Sequence, residues 1–314
     1  MKILITGGAG FIGSHLADAF LARGDEVSVM DNLSSGHREQ VPAGARFHEV
    51  DIRDERAAQI VSEERPDVLC HHAAQMNVRY SVENPAYDAE VNVLGMVRLL
   101  EAARGAGTRL ALFSSSGGTV YGEVDQYPTP EEHPTVPVCP YGITKLTGEH
   151  YLEYYWRIHG LRYVALRYAN VYGPRQDPHG EAGVVAIFSK ALLRGVPGNI
   201  FGDGLQTRDY VFVGDVVRAN LASVDSLTDD AAGNGWCGPV NIGTGRETNV
   251  VELHERIARL AGADVRPNHV EAKEGEVRRN CLSYARAERV LGWKPSVSLD
   301  DGLAQTVDFF RTRS

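Results

Sequence analysis

The chain has 314 residues, 43% of them hydrophobic, enough for one large domain or two intimate ones around a substantial core. Its 32 Lys and Arg against 41 Asp and Glu give a net charge of −9, which lacks the basic footprint of a general nucleic-acid binder but leaves room for a few arginines on a small anion. No apolar run approaches the ~18 residues of a membrane span.

Met1 leads directly into a strand pattern, so no signal peptide is expected. KILIT (2–6) predicts a short buried strand, and FIGSHLADAFLARG (11–24) a helix with Ile12, Leu16, Ala19 and Phe20 on one side. EVSVMD (26–31), RFHEVD (46–51), DVLCHHA (67–73) and RLALFSS (109–115) continue as strands, with helices over 54–64, 88–104 and 141–159 between them. LRYVALRYANVYG (161–173) is one more strand running out into a loop. Alternating strand and helix implies a parallel sheet covered on both faces.

After 173 the pattern changes. GPRQDPHGEAG (173–183) reads as a polar loop, helices over 184–194 and 214–226 flank the strand DYVFVGD (209–215), and SLTDDAAGNGWCG (226–238) reads as an exposed loop. PVNIGTG (239–245) is a late strand with a Gly turn, and helices follow near 249–262, 284–291 and 299–311. With fewer strands, this half is expected to form a smaller lobe resting on the first. The four cysteines (Cys70, Cys139, Cys237, Cys281) have no CxxC or zinc spacing and read as reduced thiols of a cytoplasmic protein, with no metal site.

TGGAGFIGSHL places Gly7, Gly10 and Gly13 between the first strand and the first helix. In a dinucleotide loop one glycine makes the tight turn, one lets the backbone approach a pyrophosphate, and one lets helix and strand pack closely. The helix N-terminus then offers free N–H groups to the phosphates. Asp31 closes the second strand, where a carboxylate accepts from both ribose hydroxyls and repels a 2′-phosphate. No arginine follows it directly, so NAD is favoured over NADP. The fold class is therefore α/β, a Rossmann-type doubly wound parallel sheet with a smaller α/β lobe.

CPYGITK (139–145) sets Tyr141 four residues before Lys145, on one helix face. For a tyrosine to act as a base near neutrality its pKa must fall by about three units, roughly 4 kcal/mol. An adjacent ammonium and a positive nicotinamide both favour the phenolate. FSSSGGTVYG (113–122) supplies a serine at the C-terminal edge of the fifth strand, where open α/β sheets place ligands. Alone, Tyr-x-x-x-Lys is a solvated helix face. Behind a dinucleotide loop and a serine-rich strand end it reads as chemistry.

With TGGAGFIGSH, DNLSSG, HHAAQ, VNVLG, SSSGGTVYGE, PYGITK, LRYANVYGPRQDP, TRDYVFVGDV and NIGTG together, essentially the whole chain resembles an extended short-chain dehydrogenase/reductase of the nucleotide-sugar epimerase/dehydratase group. The resemblance implies a catalytic set of Ser116, Tyr141 and Lys145. It implies NAD contacts at Gly7, Gly10, Phe11, Ile12, Gly13, Asp31, Asn32, Gly36, Asp51, Ile52, Ala73, Ala74, Gln75, Asn92, Ser114, Tyr141, Lys145 and Tyr168. Asp51 and Ile52 would bracket the adenine, and Lys145 would also hold the nicotinamide ribose. Ser116, Asn170, Phe201, Arg208, Lys273 and Arg279 would hold a UDP-sugar. The implied division is an NAD-binding domain over 1–169 with about 211–244, and a nucleotide-sugar lobe over 170–210 and 245–314. The implied assembly is a homodimer pairing the helices near 88–104 and 141–159.

The implied activity is 4-epimerisation of a UDP-hexose (UDP-glucose/UDP-galactose) through a transient 4-keto sugar. Other nucleotide-sugar epimerisations, on UDP-N-acetylglucosamine or UDP-glucuronate, stand as alternatives. A 4,6-dehydratase or decarboxylase of the same group is a weaker alternative: dehydratases carry an Asp–Glu pair after the catalytic Thr or Ser, and Gly117, Gly118 and Thr119 stand there and cannot serve elimination. A non-catalytic NAD-binding module would have no need of Tyr141, Lys145 and Ser116 together. Gly117 occupies the position usual for the serine, so SSSGG is read as a one-residue bulge returning the role to Ser116, with Ser115 second. The phosphate clamp Arg-x-Gly-Asp appears as KEGE (273–276), leaving Lys273, Arg278 and Arg279 to share the diphosphate. Asn280 replaces a bulky tyrosine and opens room for an N-acetylated sugar. His71, His72 and Cys139 read as packing residues, and the tyrosines at 151, 154 and 155 as core and dimer-contact residues.

Overall fold

The computed structural model describes residues 1–178, 183–228, 235–272 and 277–313. In chain order the first half comprises β1 (Lys2–Thr6), α1 (Phe11–Ala22), β2 (Glu26–Asp31), β3 (Arg46–Glu49), α2 (Glu55–Glu64), β4 (Val68–His71), α3 (Val78–Glu83), α4 (Pro85–Ala89), α5 (Met96–Ala106), β5 (Leu110–Ser116), α6 (Pro140–His159) and β6 (Arg162–Tyr168). The second half comprises β7 (Asn170–Tyr172), α7 (Val184–Leu193), β8 (Asn199–Phe201), β9 (Thr207–Arg208), β10 (Tyr210–Phe212), α8 (Val213–Thr228), β11 (Gly238–Ile242), β12 (Thr248–Asn249), α9 (Val250–Ala261), β13 (Asn268–Val270), α10 (Ala285–Leu291) and α11 (Leu299–Arg311).

Seven strands form one parallel sheet in the order β11-β6-β5-β4-β1-β2-β3. Their apolar runs are buried on both faces: all four residues of β4 are inaccessible, as are Ile3, Leu4 and Ile5 of β1. One face packs on α1 and α8 through Leu16, Phe20, Val216 and Ala219, the other on α2, α5 and α6 through Ile60, Leu99, Leu100 and Leu152. From β1 the chain winds one way through β2 and β3, then returns to start β4 on β1's other side. That reversal opens a crevice at the C-terminal ends of β1 and β4.

The helix predicted over 88–104 is broken. α4 ends at Ala89, Glu90–Gly95 form a π-helical turn, and α5 resumes at Met96. Such turns shift helix register, often at functional sites. This one turns Asn92 inward, to 3% exposure, and seats Gly95 where a Cβ would lie 3.0 Å from Ile52.

In the second half, α7, α9 and α11 share a core of Val185, Phe188, Leu192, Leu253, Ile257, Leu303 and Val307. Three two-stranded pairs, β7–β10, β8–β13 and β9–β12, surround it. The predicted strand over 209–215 is only Tyr210–Phe212, because Val213 already begins α8. The predicted loop over 226–238 is likewise shortened: α8 runs to Thr228 and 229–234 lie outside the described residues. Buried Asp215, in the first turn of α8, accepts from the Ser296 and Val297 N–H groups and so ties the C-terminal segment back to the sheet.

Candidate active site

The glycine loop is shaped by backbone contacts. Gly7 has φ +69°, and a Cβ there would lie 2.6 Å from the Ala73 nitrogen. A Cβ on Gly13 would lie 2.2 Å from the Gly7 carbonyl oxygen, so these two glycines serve the turn and the helix–strand approach. Gly10 differs: a Cβ would meet only the Gly7 oxygen, at 3.2 Å. No side chain caps α1, whose N-cap is Gly10, so its first-turn N–H groups suit an anion. The cradle therefore fits a pyrophosphate.

Asp31 ends β2 at 8% exposure and accepts from the Ala9 N–H (3.0 Å) and the Leu33 N–H (2.8 Å). It braces the glycine loop; burial pushes its carboxyl up, against those two bonds. Gly36 lies against it, where a Cβ would be 3.0 Å from Oδ1. Asp51 accepts from Asn32 Nδ2 (2.9 Å) and from Arg53 Nε (2.9 Å), Nη2 (2.8 Å) and backbone N–H (2.8 Å). Arg53, which sequence reading passed over, holds the Asp51 carboxyl down at about 2. Buried Ile52 lies beside it. Ala73 donates to Thr6 Oγ1 (3.2 Å), and Gln75 N–H to Asn92 Oδ1 (2.8 Å), so the loop after β4 is fixed to β1 and to the π-helical turn. Phe11 packs toward the second core.

At the end of β5 the three serines diverge, as strand alternation requires. The Ser114 carbonyl accepts from Lys145 Nζ (2.8 Å). Buried Ser115 donates to Glu149 Oε1 (2.5 Å), which is bound in turn by Arg167. Ser116 is the serine whose side chain acts on the Tyr141 phenol, drawing it down. The bulge expected at SSSGG is not formed: β5 pairs with β6 in unbroken register through Ser116–Tyr168, and in the turn that follows the Thr119 and Val120 N–H groups both return to the Ser116 carbonyl. At Gly117 a Cβ would lie 2.3 Å from Leu282 Cδ1, so a larger residue would have to displace that side chain.

Tyr141 and Lys145 share one face of α6, with Nζ 5.7 Å from the tyrosine ring centroid. Lys145 is 3% exposed, and burial pushes it down to about 8 against the opposing pull of Asp88. The expectation that Lys145 depresses Tyr141 is not met by the chain alone. Burial and the nearby Asp88 and Cys139 push the phenol above its usual range, and only the Ser116 hydrogen bond opposes them. Desolvation disfavours the anion, and a nearby positive charge or further hydrogen-bond donors would bring this phenol down.

His71 and His72 are both pushed down to about 3, by burial first and the Lys145 charge second, and stay neutral. His71 Nδ1 pairs with Thr6 Oγ1 (2.8 Å), and His72 Nε2 with the Tyr168 hydroxyl (3.1 Å), which also accepts from Asn220 (2.8 Å). They pack and orient, in keeping with the reading made of them. Among the described residues no group of three His, Cys, Asp or Glu is arranged to hold a metal ion.

In the second half of the chain, half-buried Asn170, Phe201 and Arg208 lie on β7, β8 and β9. Arg208 donates to the Thr207 carbonyl (2.8 Å) and has no carboxylate partner among the described residues. The other cations are already paired: Arg279 forks onto Glu247 (2.9 and 2.6 Å) over the Tyr127 ring, and Arg278 forks onto Asp203 (both 2.9 Å). These pairs are exposed, so a phosphate oxygen can compete with the carboxylates. Lys273 lies outside the described residues. Asn280 is 7% exposed and gives Nδ2 to the Gly117 carbonyl (3.2 Å), while its Oδ1 has no partner among the described residues. Sequence reading also missed fully buried Asp209, which accepts from Thr244, Gly245 and Leu282 and pins the NIGTG loop beside the site.

The chain matches the family described as NAD dependent epimerase/dehydratase over residues 3–243. It is 48% identical to a UDP-glucose 4-epimerase of Mycolicibacterium smegmatis, covering 100% of both chains. Its fold is similar to that of UDP-glucose 4-epimerase with UDP-glucose from Thermotoga maritima, at a TM-score of 0.94 and 48% identity over 100% of this chain and 99% of that one. It is also similar to UDP-N-acetylglucosamine 4-epimerase from Methanobrevibacter ruminantium in complex with UDP-N-acetylmuramic acid, at a TM-score of 0.92 and 31% identity over 100% and 99%.

Proposed function

Because the chain belongs to the NAD dependent epimerase/dehydratase family, we propose that it interconverts UDP-glucose and UDP-galactose through a transient 4-keto sugar. The observation that supports this best is the convergence of Ser116, Tyr141 and Lys145 at the sheet's C-terminal edge, beside a glycine loop shaped for a pyrophosphate. Gly7, Gly10 and Gly13 would hold the pyrophosphate of NAD, Asp31 and Asn32 its adenosine ribose, Asp51 and Ile52 its adenine, and Lys145 the nicotinamide ribose. When bound, NAD supplies the hydride acceptor for the sugar's C4 and the donor that restores it. The chain's part is proton transfer and orientation. Tyr141 as phenolate takes the 4-hydroxyl proton and later returns one to the 4-keto oxygen; Ser116 holds that oxygen, and Lys145 is kept for the nicotinamide ribose. Arg208 meets the diphosphate, helped by Arg279 and Lys273. Elimination is disfavoured, since Gly117, Gly118 and Thr119 carry no acid or base.

Turnover of a UDP-sugar panel tests this. UDP-galactose is expected to give UDP-glucose, and failure to convert it would refute the reading. Asn280 favours one extension, to the N-acetylated pair. With Nδ2 spent on Gly117, its Oδ1 can accept from an acetamido N–H, and stranding that acceptor costs about 1–3 kcal/mol. Asn280→Tyr should then lose the N-acetylated pair while keeping the hexose pair; equal loss of both would remove Asn280 from the specificity account.

We also propose a homodimer. Leu94 on the π-helical turn and Ile143, Tyr151, Tyr154 and Ile158 on α6 are exposed apolar residues on the helices that would pair across a two-fold axis. Light scattering at micromolar concentration should give twice the chain mass, and a monomer mass would contradict it. The four free cysteines suit a cytoplasmic setting, and among the described residues no helix is long and apolar enough to cross a membrane.

A further inference from the structure

Asp88, on α4, is fully buried. Its side-chain hydrogen bonds come from neutral donors: Gln75 Nε2 (2.8 Å) and Asn92 Nδ2 (3.1 Å) to Oδ1, and Thr144 Oγ1 (2.7 Å) to Oδ2. Thr144 is the residue before Lys145 on α6, and its hydroxyl also lies 3.0 Å from the Tyr141 carbonyl. A carboxylate ringed by amides and a hydroxyl keeps its charge out of water only at a cost, unless an opposite charge shares the pocket. Lys145, the chain neighbour of the Thr144 that binds Asp88, is 3% exposed with Nζ bonded to a neutral carbonyl, and Asp88 acts on it through space. The other buried charges on this face, Glu149 and Arg167, are spent on each other.

Resting on the roles assigned above to Tyr141 and Lys145, we propose that Asp88 is a positioning residue of this site. Its buried charge holds Lys145 as an ammonium, and its hydrogen bonds fix the segments carrying Gln75, Asn92 and Tyr141 around one point. The same charge raises the proton affinity of both Lys145 and Tyr141. The remaining groups facing the pair do not duplicate it. His71 at the end of β4 and His72 just after it are neutral, and the Cys139 thiol at the head of α6 is pushed up by burial. Glu101 of α5 is bound by Tyr155 and Arg104, and Arg79, Glu83 and Glu90 are exposed.

Asp88→Asn separates charge from scaffold. The asparagine Oδ1 still accepts from Gln75 and Asn92, and its Nδ2 donates to Thr144 Oγ1, which turns its own proton to the Tyr141 carbonyl. Two readouts are taken on the purified full chain. One is the pH dependence of Lys145 labelling by an amine-reactive reagent, read by peptide mass; the other is the pH profile of UDP-galactose turnover. Removing the negative charge lowers both proton affinities, so both curves are expected to move to lower pH by about one unit or more. Curves that superimpose on those of the wild type would overturn the proposal. If Asp88→Asn does not fold, the double variant with Lys145→Met decides. Removing the stranded cation should restore folding to the level of Lys145→Met alone, and a double variant as unfolded as Asp88→Asn would overturn the proposal. The labelling curve needs no turnover, so inactivity toward UDP-galactose would sink the functional reading and leave this result to be scored separately.

Discussion

Tyr141→Phe is expected to keep the fold and to lower UDP-galactose turnover by about 10²- to 10⁴-fold, the usual range for a general base. The change removes one oxygen from a half-buried ring at the start of a 20-residue helix, and the helix keeps its Pro140 start and its Gly160 stop. Ser116 loses the phenol oxygen it acts on. If Tyr141 is the group that moves the proton, the loss falls on kcat with little change in KM, because binding rests on other residues. A single-turnover measurement separates the chemical step from product release. A purified variant turning over at nearly the wild-type rate would remove Tyr141 from the mechanism.

The second large effect concerns stability. Glu149 and Arg167 form a fork of 2.9 and 2.6 Å with side-chain exposures of 6% and 5%. Glu149 also accepts from Ser115, and Arg167 donates to the Tyr121 hydroxyl (2.8 Å), so the network joins α6 to β5 and β6. Glu149→Ala leaves a buried guanidinium without its counter-charge, which costs about 3–5 kcal/mol. Against a typical total of about 5–15 kcal/mol, that is a large share. Urea midpoints should fall accordingly. Glu149→Leu combined with Arg167→Met should be less damaging than Glu149→Leu alone, since the second change removes the stranded charge. A single variant as stable as the wild type would contradict the buried-pair account.

Much of the first half could be read in advance because parallel strands buried on both faces announce themselves as short apolar runs between turns. KILIT, EVSVMD and VLCH became β1, β2 and β4 nearly as expected, and Gly7, Gly10 and Gly13 lie where the first βα turn needs them. The second half was less readable. β8, β9, β10 and β13 have two or three residues each, too few for a period of two to show. The π-helical turn at 90–95 leaves no mark in a pattern that otherwise reads as one helix.

At the site, residue types were legible and their environments were not. Spacing put Tyr141 and Lys145 on one face, but only the fold shows burial holding the phenol neutral. SSSGG leaves ambiguous which serine faces the site; in the fold Ser115 is spent on Glu149, while Ser116 acts on the Tyr141 phenol. Arg278 and Arg279 were read as sharing the diphosphate, and the carboxylates that pair with them, Asp203 and Glu247, come from segments far apart in sequence. Asp88 escaped notice for the same reason, since its three partners arrive from separate stretches of chain.

The central claim is that hydride leaves and returns to the same sugar carbon without escaping the site. UDP-galactose carrying deuterium at C4, incubated with the protein in ordinary water, is the direct test. The account predicts UDP-glucose with the deuterium still at C4. Loss of the label to solvent, or accumulation of an oxidised sugar in place of the epimer, would contradict it.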